Sequence, residues 1–149
     1  VEINTETDFS ANTDTVKDFA RDIAMHIAAA NPLYISEEDA DEKDVAEQRE
    51  ILVNQAINEA SDNMPEDKKK MIAEKKVEGR LKKYFSEVCL LDQAYIKNPD
   101  QTIEQYLRDT ASKVGENIKI RRFARFEVGE GLEKKEEDFA AEVASQMNA

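Results

Sequence analysis

Thr5–Asn12 reads Thr-Glu-Thr-Asp-Phe-Ser-Ala-Asn, and it places one large aromatic ring, Phe9, among polar side chains. The residues before it, Val1–Asn4, alternate apolar and polar side chains as a half-buried strand does. The residues after it, Asn12–Asp14, carry side-chain oxygens suited to capping a helix. Phe9 is therefore predicted on a strand-to-helix connection. There the ring either folds back onto its own core or projects toward a partner, since exposing it costs about 1.5–3 kcal/mol relative to burial.

Three long helical patterns follow this connection. Apolar residues recur at three-and-four spacing from Asp14 and stop at Asn31 and the proline after it, because Asn tolerates a left-handed backbone and Pro cannot continue a helix. Amphipathic patterns also cover Val45–Ala60 and Glu66–Val88, each charged on one side. Only a short segment separates these two. We therefore predict an antiparallel helical hairpin over about residues 36–89, projecting from a body as a coiled coil.

The segment after the hairpin predicts a turn and a fourth helix. Asn98–Asp100 reads Asn-Pro-Asp, which is turn composition. Thr102 and Gln105 have the spacing of a capping box at a helix start. Gly115 is suited to ending that helix, because glycine adopts a left-handed backbone at little cost.

The clearest strand pattern is Asn117–Val128, where apolar residues alternate with polar ones and Arg122 interrupts the apolar face. A terminal amphipathic helix is predicted over about Phe139–Met147. Four or five helices against few strands predict an α+β fold. Its small antiparallel sheet is expected to form from the first and last strands and to pack with the helices.

Composition restricts the function. The 149 residues suffice for one ordinary domain with a real core. With 33 acidic against 21 basic residues the net charge is −12, which disfavours nucleic acid as a direct partner and favours a basic protein surface. No apolar run approaches the ~20 residues that cross a bilayer, so no membrane association is expected. Because the sequence begins at Val1 inside a strand pattern, we expect that a segment upstream is missing.

Residues able to do chemistry are few. His26 is predicted to be a packed or partly exposed helical histidine, with metal ligand or base as the alternative. Cys89, the only cysteine, is predicted to be a small buried side chain, which is consistent with a reducing compartment. The acidic stretch Asp39–Glu50 fails as a calcium loop, because Lys43 occupies a ligand position. The sequence therefore favours a binding module over a covalent catalyst, and we expect no metal and no cofactor.

Six stretches, in one order over nearly the whole chain, carry a resemblance to a known family. They are Glu2–Phe9, Ala24–Pro32, Lys76–Leu81, Gly115–Ile118, Ile120–Phe123 and Arg125–Gly131. They resemble the elongation factor Ts family, the guanine-nucleotide exchange factors of the GTPase elongation factor Tu. The compact spacing is similar to the short bacterial or organellar form. Relative to that family, we expect the small N-terminal helical domain and the first strand or strands to be missing from this sequence. Thr5 replaces a common Cys, and Ser10 replaces an apolar residue.

The resemblance implies a fold and a mode of action. It implies that the whole chain, 1–149, is the family's core or dimerisation-type domain and that the paired helices are its coiled coil. It also implies that Thr7, Asp8, Phe9 and Ser10 enter the GTPase and disturb the site of the bound phosphates, which dislodges magnesium and loosens GDP. Phe9 would supply apolar volume, and Asp8 a charge at the edge of the insertion.

Two further contacts follow from the same resemblance. Val114 and Gly115 match another contact with the GTPase domain. Ile96 and Lys97 match a contact toward the partner's third domain, although Lys97 differs in type from the apolar residue of longer members.

Several properties are expected from the resemblance without being fixed by it. The expected partner is elongation factor Tu, and short members suggest a homodimer that binds two GTPases. The alternative function is a structural or ribosome-associated binding module that keeps the fold without exchange activity. The expected location is the cytoplasm, with the mitochondrial matrix or plastid stroma as the alternative.

Overall fold

The structure, a computed structural model, describes residues 1–59 and 66–132. Within these ranges it contains five α-helices and two antiparallel sheets of two strands each, which confirms the α+β prediction. In chain order the elements are β1 (Glu2–Thr5), α1 (Asp8–Ala11), α2 (Asp14–Ala30), α3 (Glu42–Asn58), α4 (Glu66–Val88), β2 (Ala94–Tyr95), β3 (Asn98–Thr102), α5 (Ile103–Val114) and β4 (Ile118–Arg122). The predicted terminal helix over Phe139–Met147 lies outside the described residues.

The first and last strands pair as predicted. β1 and β4 are antiparallel, with Thr5 opposite Ile118 and Ile3 opposite Ile120. Both isoleucines of β4 are buried, so this face of the sheet closes the core. At the end of the ladder Glu2 pairs with Arg122, and its carboxylate also accepts a hydrogen bond from Arg121.

The predicted strand Asn117–Val128 is too long by six residues at its end. β4 stops at Arg122, and Phe126 and Val128 are 90% and 104% exposed rather than buried. The ladder with β1 ends at the pair of Glu2 and Arg122. Beyond that pair the alternating pattern continues in the sequence, but no strand of the described residues pairs with it, and alternation alone cannot make a strand.

α2 is the central helix of the body and has the predicted bounds. Thr13 caps its start, accepting a hydrogen bond from the backbone N–H of Val16. Asn31 ends it in a left-handed conformation, with φ 48°. Its buried face joins residues of α5, β2 and β4 in one core. The buried members are Val16, Phe19, Ile23, Ile27, Leu90, Tyr95, Ile103, Ile118 and Ile120.

α3 and α4 pack against each other around a second, separate core of Leu52, Ala56, Ala73 and Val77. Tyr34 contacts both helices: its hydroxyl donates to Asp44 in α3, and its backbone N–H donates to the carbonyl of Val88 in α4. The start of α3 therefore lies beside the end of α4, and the two helices run antiparallel as predicted. The connection between them lies outside the described residues, and the projection of the pair from the body stays a prediction.

The segment after α4 differs from the predicted turn at Asn98–Asp100. β2 and β3 form a hairpin in which Tyr95 pairs with Asn98, so the turn is Ile96–Lys97. Neither turn residue has a positive φ, and neither is a usual turn former. The Asn-Pro-Asp composition was misleading because these residues form an exposed strand of a two-stranded sheet, where proline costs no ladder bond.

Candidate functional site

The predicted strand-to-helix connection contains a short helix of its own, α1. Thr7 is its N-cap: the Thr7 hydroxyl oxygen accepts a hydrogen bond from the Ser10 backbone N–H at 3.3 Å. At the other end, the Asn12 amide donates to the carbonyl of Asp8 at 2.9 Å. Phe9 lies between β1 and α2 as predicted, and the cap-forming side chains on both sides of the ring close one helical turn within this connection.

Phe9 projects from this turn into solvent with 84% of its surface exposed. Asp8 beside it is also exposed, whereas Ser10 is buried on the opposite side of the turn. The possibility that the ring folds back onto its own core is therefore wrong for this structure. The turn presents an aromatic ring and a carboxylate outward and attaches itself to the body through Ser10.

A carboxylate that is distant in the sequence, Glu116, holds the start of α1. Thr7 donates twice to Glu116: from its hydroxyl to Oε1 at 2.7 Å and from its backbone N–H to Oε2 at 3.1 Å. The neighbouring Ser10 hydroxyl and these Thr7 donors lower the pKa of Glu116, because they stabilise the ionised carboxylate. Glu116 is thus charged at neutral pH and accepts both bonds.

Val114 and Gly115 lie directly before this carboxylate, at the end of α5. Gly115 has φ 77°, and its N–H donates to the carbonyl of Ala111 at 2.8 Å. An added Cβ would meet no atom within 4 Å, so glycine is needed here for the backbone conformation rather than for space. The left-handed turn directs the chain toward Glu116. The structure therefore brings two predicted groups, Thr7–Ser10 and Val114–Gly115, to one end of the domain.

Ile96 and Lys97 lie in a different place. They form the tip of the β2–β3 hairpin, and the ammonium group of Lys97 pairs with Asp22 in the middle of α2. Tyr106 of α5 bonds the same carboxylate. Gly115 follows Tyr106 by nine residues, which is roughly 13 Å along a helix axis. Ile96 is 44% exposed, so the tip offers an apolar side chain beside a cation.

Asp22 is the centre of a polar cluster under this tip. It accepts hydrogen bonds from the hydroxyls of Tyr95 at 2.7 Å and Tyr106 at 3.1 Å, and the two rings stack with centroids 4.7 Å apart. Burial would raise the pKa of Asp22, but the donors, led by Lys97, outweigh burial and lower it. Burial, followed by the hydrogen bond to Asp22, raises the pKa of Tyr106 to about 12, so this hydroxyl stays a donor.

His26 holds the same hairpin from inside. It is fully buried, and its Nε2 lies 2.9 Å from Oε1 of Gln93, whose amide nitrogen donates to the carbonyl of Glu87. With the proton assigned to Nε2, Nδ1 accepts from the backbone N–H of Ile96 at 3.4 Å. Burial lowers the pKa of His26, although the bond to Gln93 opposes this. The prediction of a packed helical histidine is confirmed.

Sequence reasoning missed Glu116 and Asp22 as organisers of the two groups. Glu116 lies within Gly115–Ile118, one of the stretches that carried the family resemblance, but its partner Thr7 is 109 residues away. Asp22 is a polar residue four positions before His26 on the buried side of a helix. The available signal for Asp22 was a polar residue near an apolar stripe. For the bond between Thr7 and Glu116 there was none, because the periodicity of a sequence does not report contacts between residues so far apart in it.

The fold and the site together define a class: an α+β domain that presents an exposed aromatic turn and an exposed hairpin tip on one helical body. A family model described as elongation factor TS matches residues 3–130. The chain belongs to the elongation factor Ts family.

Three curated relatives, all called elongation factor Ts, show the extent of the similarity. The chain is 60% identical to the protein of Finegoldia magna over 148 residues, 58% to that of Carboxydothermus hydrogenoformans over 147 residues, and 53% to that of Alkaliphilus oremlandii over 147 residues. Each match covers 99% of this chain and 66%, 64% and 65% of the respective relative. The chain therefore spans about two thirds of the length of these relatives. Across the described residues, every helix is too short or too polar to cross a membrane.

Proposed function

We propose that this chain is a guanine-nucleotide exchange factor that binds elongation factor Tu carrying GDP and promotes release of the GDP during translation elongation. It does so without covalent chemistry and without a cofactor. Thr7, Asp8, Phe9 and Ser10 enter the GTPase beside its phosphate and magnesium site, while Val114–Gly115 contact the same GTPase domain. Ile96–Lys97 contact a second part of the partner.

The observation that carries this proposal is the exposure of Phe9. A ring that is 84% exposed on a structured turn contributes nothing to its own core, and water penalises it. The proposal gives the exposed ring a role, since insertion into a partner removes it from water. Membership of the family supports the identity of that partner.

The free-energy relation between the two ligands sets what the factor can do. If the factor weakens the binding of GDP to the GTPase, GDP weakens the binding of the factor by the same ratio. A ternary complex of factor, GTPase and GDP therefore forms and then dissociates. One buried ring supplies roughly 1.5–3 kcal/mol. Phe9 therefore provides a large part, but not all, of a coupling of several kcal/mol, and the surrounding contacts provide the rest.

The test is stopped-flow release of fluorescent GDP from elongation factor Tu, with wild type, Phe9→Ala and the control Phe126→Ala. Phe126 is a matched control because it is similarly exposed, at 90%, but lies after β4 and outside the proposed contacts. We expect Phe9→Ala to lower the stimulated release rate roughly ten- to a hundredfold, as one ring's burial energy requires. Phe126→Ala should match wild type. Equal stimulation by Phe9→Ala and wild type would refute the role of Phe9.

The same experiment separates this function from its alternative. A structural or ribosome-associated module would bind elongation factor Tu or a ribosome without accelerating GDP release. A wild-type chain that binds the GTPase in a pull-down but leaves the release rate unchanged would favour that alternative. We also propose a cytoplasmic location, because the curated relatives named above are bacterial proteins.

A further inference from the structure

We propose that Glu116 is a positioning residue for exchange: its carboxylate ties the start of α1 to the end of α5 and so fixes the direction in which Phe9 projects. This inference rests on the proposed function and adds a residue that touches neither nucleotide nor magnesium. It also implies that the two groups Thr7–Ser10 and Val114–Gly115 act as one surface, joined mainly by the Glu116 side chain.

The position of Phe9 depends on the backbone that carries it. Because most of the ring is exposed, packing against its own domain does little to orient it. α1 is one turn of four residues, too short to be stable alone. The orientation of the ring is therefore set by whatever attaches α1 to the rest of the molecule.

Most attachments of α1 are local. Thr5 donates to the carbonyl of Thr7 at 2.7 Å, Asn12 to that of Asp8 at 2.9 Å, and Thr13 to that of Ser10 at 2.7 Å. Thr5 ends β1 and Thr13 caps α2, so these bonds join α1 only to the elements next to it along the chain. The two bonds from Thr7 to Glu116 cross 109 residues and join α1 to the end of α5.

A neighbouring bond strengthens this attachment. The side-chain amide of Asn117 donates to Oε1 of Glu6 at 2.6 Å, which links the residue after Glu116 to the residue before Thr7. Residues 6–7 and 116–117 therefore form a double clasp. Glu116 is its main member, because it accepts two bonds, from a hydroxyl and a backbone N–H, with separate oxygens, whereas Glu6 accepts one.

The chain offers a matched control for this chemistry. Asp39 accepts the backbone N–H of Ser36 at 3.1 Å and the Ser36 hydroxyl at 2.7 Å, so it receives the same two donors from a residue that also precedes a short helical turn. It lies between α2 and α3, away from Thr7–Ser10. Glu116→Ala and Asp39→Ala therefore remove an acceptor of the same two kinds of donor, across 109 residues in the first case and within one turn in the second.

The first measurement is hydrogen exchange of the free chain. Glu116→Ala should speed exchange of the Thr7 amide proton, and Asp39→Ala should leave it as in wild type. Circular dichroism of each variant checks that the fold is kept. Unchanged Thr7 exchange in folded Glu116→Ala would show that the clasp is not formed in solution and would overturn the inference.

The second measurement is release of fluorescent GDP from elongation factor Tu at saturating factor, in a double-mutant cycle with Phe9→Ala. We expect Glu116→Ala to slow release about threefold to tenfold, the effect of one or two partly exposed hydrogen bonds. In the Phe9→Ala background the same change should have little further effect, because a positioning residue acts through the ring that it positions. Asp39→Ala should match wild type in both backgrounds.

Glu116→Gln separates geometry from charge. Its amide oxygen can still accept the Thr7 N–H while its nitrogen donates to the Thr7 hydroxyl, so this variant should release GDP faster than Glu116→Ala. Glu116→Gln as slow as Glu116→Ala would mean that the charge itself contacts the partner. That result, or full additivity with Phe9→Ala, would overturn positioning while leaving the exchange function intact. A wild-type chain without stimulation would instead overturn the exchange function and this inference with it.

Discussion

The α1 turn and the β2–β3 hairpin tip are both exposed, but they are held in opposite ways. The tip is fixed by groups that are buried or nearly so: His26 under Ile96 and Asp22 under Lys97. The α1 turn is fixed by Glu116, whose bonds to Thr7 are open to solvent. Buried groups therefore position the side chains of the hairpin tip, whereas hydrogen bonds at the surface position those of the α1 turn.

The difference indicates where the molecule can be changed without unfolding it. Removing a member of the buried cluster leaves other polar groups without partners, which costs stability. Removing a member of the surface clasp lets water replace the lost bonds, which costs little stability but loosens a local element. Stability and proposed activity should thus separate between the two regions.

The largest expected loss of stability comes from Asp22→Ala. It removes the shared acceptor of Tyr95, Tyr106 and Lys97, and we expect the free energy of unfolding to fall by about 2–4 kcal/mol. Asp18→Ala, one turn earlier on α2 in an exposed pair with Arg21, is the control and should cost less than about 1 kcal/mol. Urea denaturation measures both. Equal losses would mean that the cluster under the tip adds no more than a surface pair.

A smaller loss is expected from His26→Ala, by roughly 1–3 kcal/mol at pH 7.5, because Gln93 loses its buried partner. The histidine also sets a pH dependence. Its pKa in the folded chain is below the unfolded value of 6.5, so the unfolded state binds more protons as the pH falls. Stability is then complete above pH 6.5 and decreases as the pH falls through 6.5 toward the folded pKa.

His26 is the only histidine, so urea denaturation between pH 7.5 and 5.5 isolates this effect. Wild type should lose stability across that window, and His26→Ala should be nearly flat. A wild-type chain whose stability is constant over the window would contradict the burial of a neutral imidazole.

The smallest effect on stability is expected at the surface clasp, from Thr7→Val. This change removes the cap of α1 and one of two bonds to Glu116, and it should lower the free energy of unfolding by about 1 kcal/mol or less. GDP release should nevertheless slow severalfold, since α1 loses the hydroxyl bond of its attachment to Glu116. Thr15→Val, on the exposed side of the first turn of α2, is the control for both measurements. A loss of stability as large as that of Asp22→Ala would remove the contrast between the two regions.

The sequence was informative where structure depends on neighbours along the chain. Asn31 ended α2, Thr102 with Gln105 formed the capping box of α5, and Gly115 ended that helix in a left-handed turn, all as predicted. Each of these features is decided by side chains within four residues of the backbone they satisfy. The sequence also indicated Phe9 as unusual, because a ring among cap-forming residues has no local apolar stripe to join.

The sequence was misleading where a strand needs a partner. Phe126 and Val128 continue the alternation of β4, but the ladder ends at Arg122. Asn98–Asp100 has the composition of a turn and forms part of a strand, because the position of a hairpin turn is set by the pairing of both strands. The bonds between Thr7 and Glu116 could not be predicted for the same reason, since they depend on which distant residues the fold brings together.

Cys89, at the junction of α4 with the body, has a practical consequence. It is fully buried, and burial, with the nearby carboxylates led by Asp92, raises the pKa of its thiol to about 11. A thiolate is the reactive form, so the folded chain should resist alkylating reagents. A fluorescent label can therefore be placed on a cysteine introduced beside Phe9 without first replacing the native one, and slow modification of Cys89 itself would report each opening of that junction.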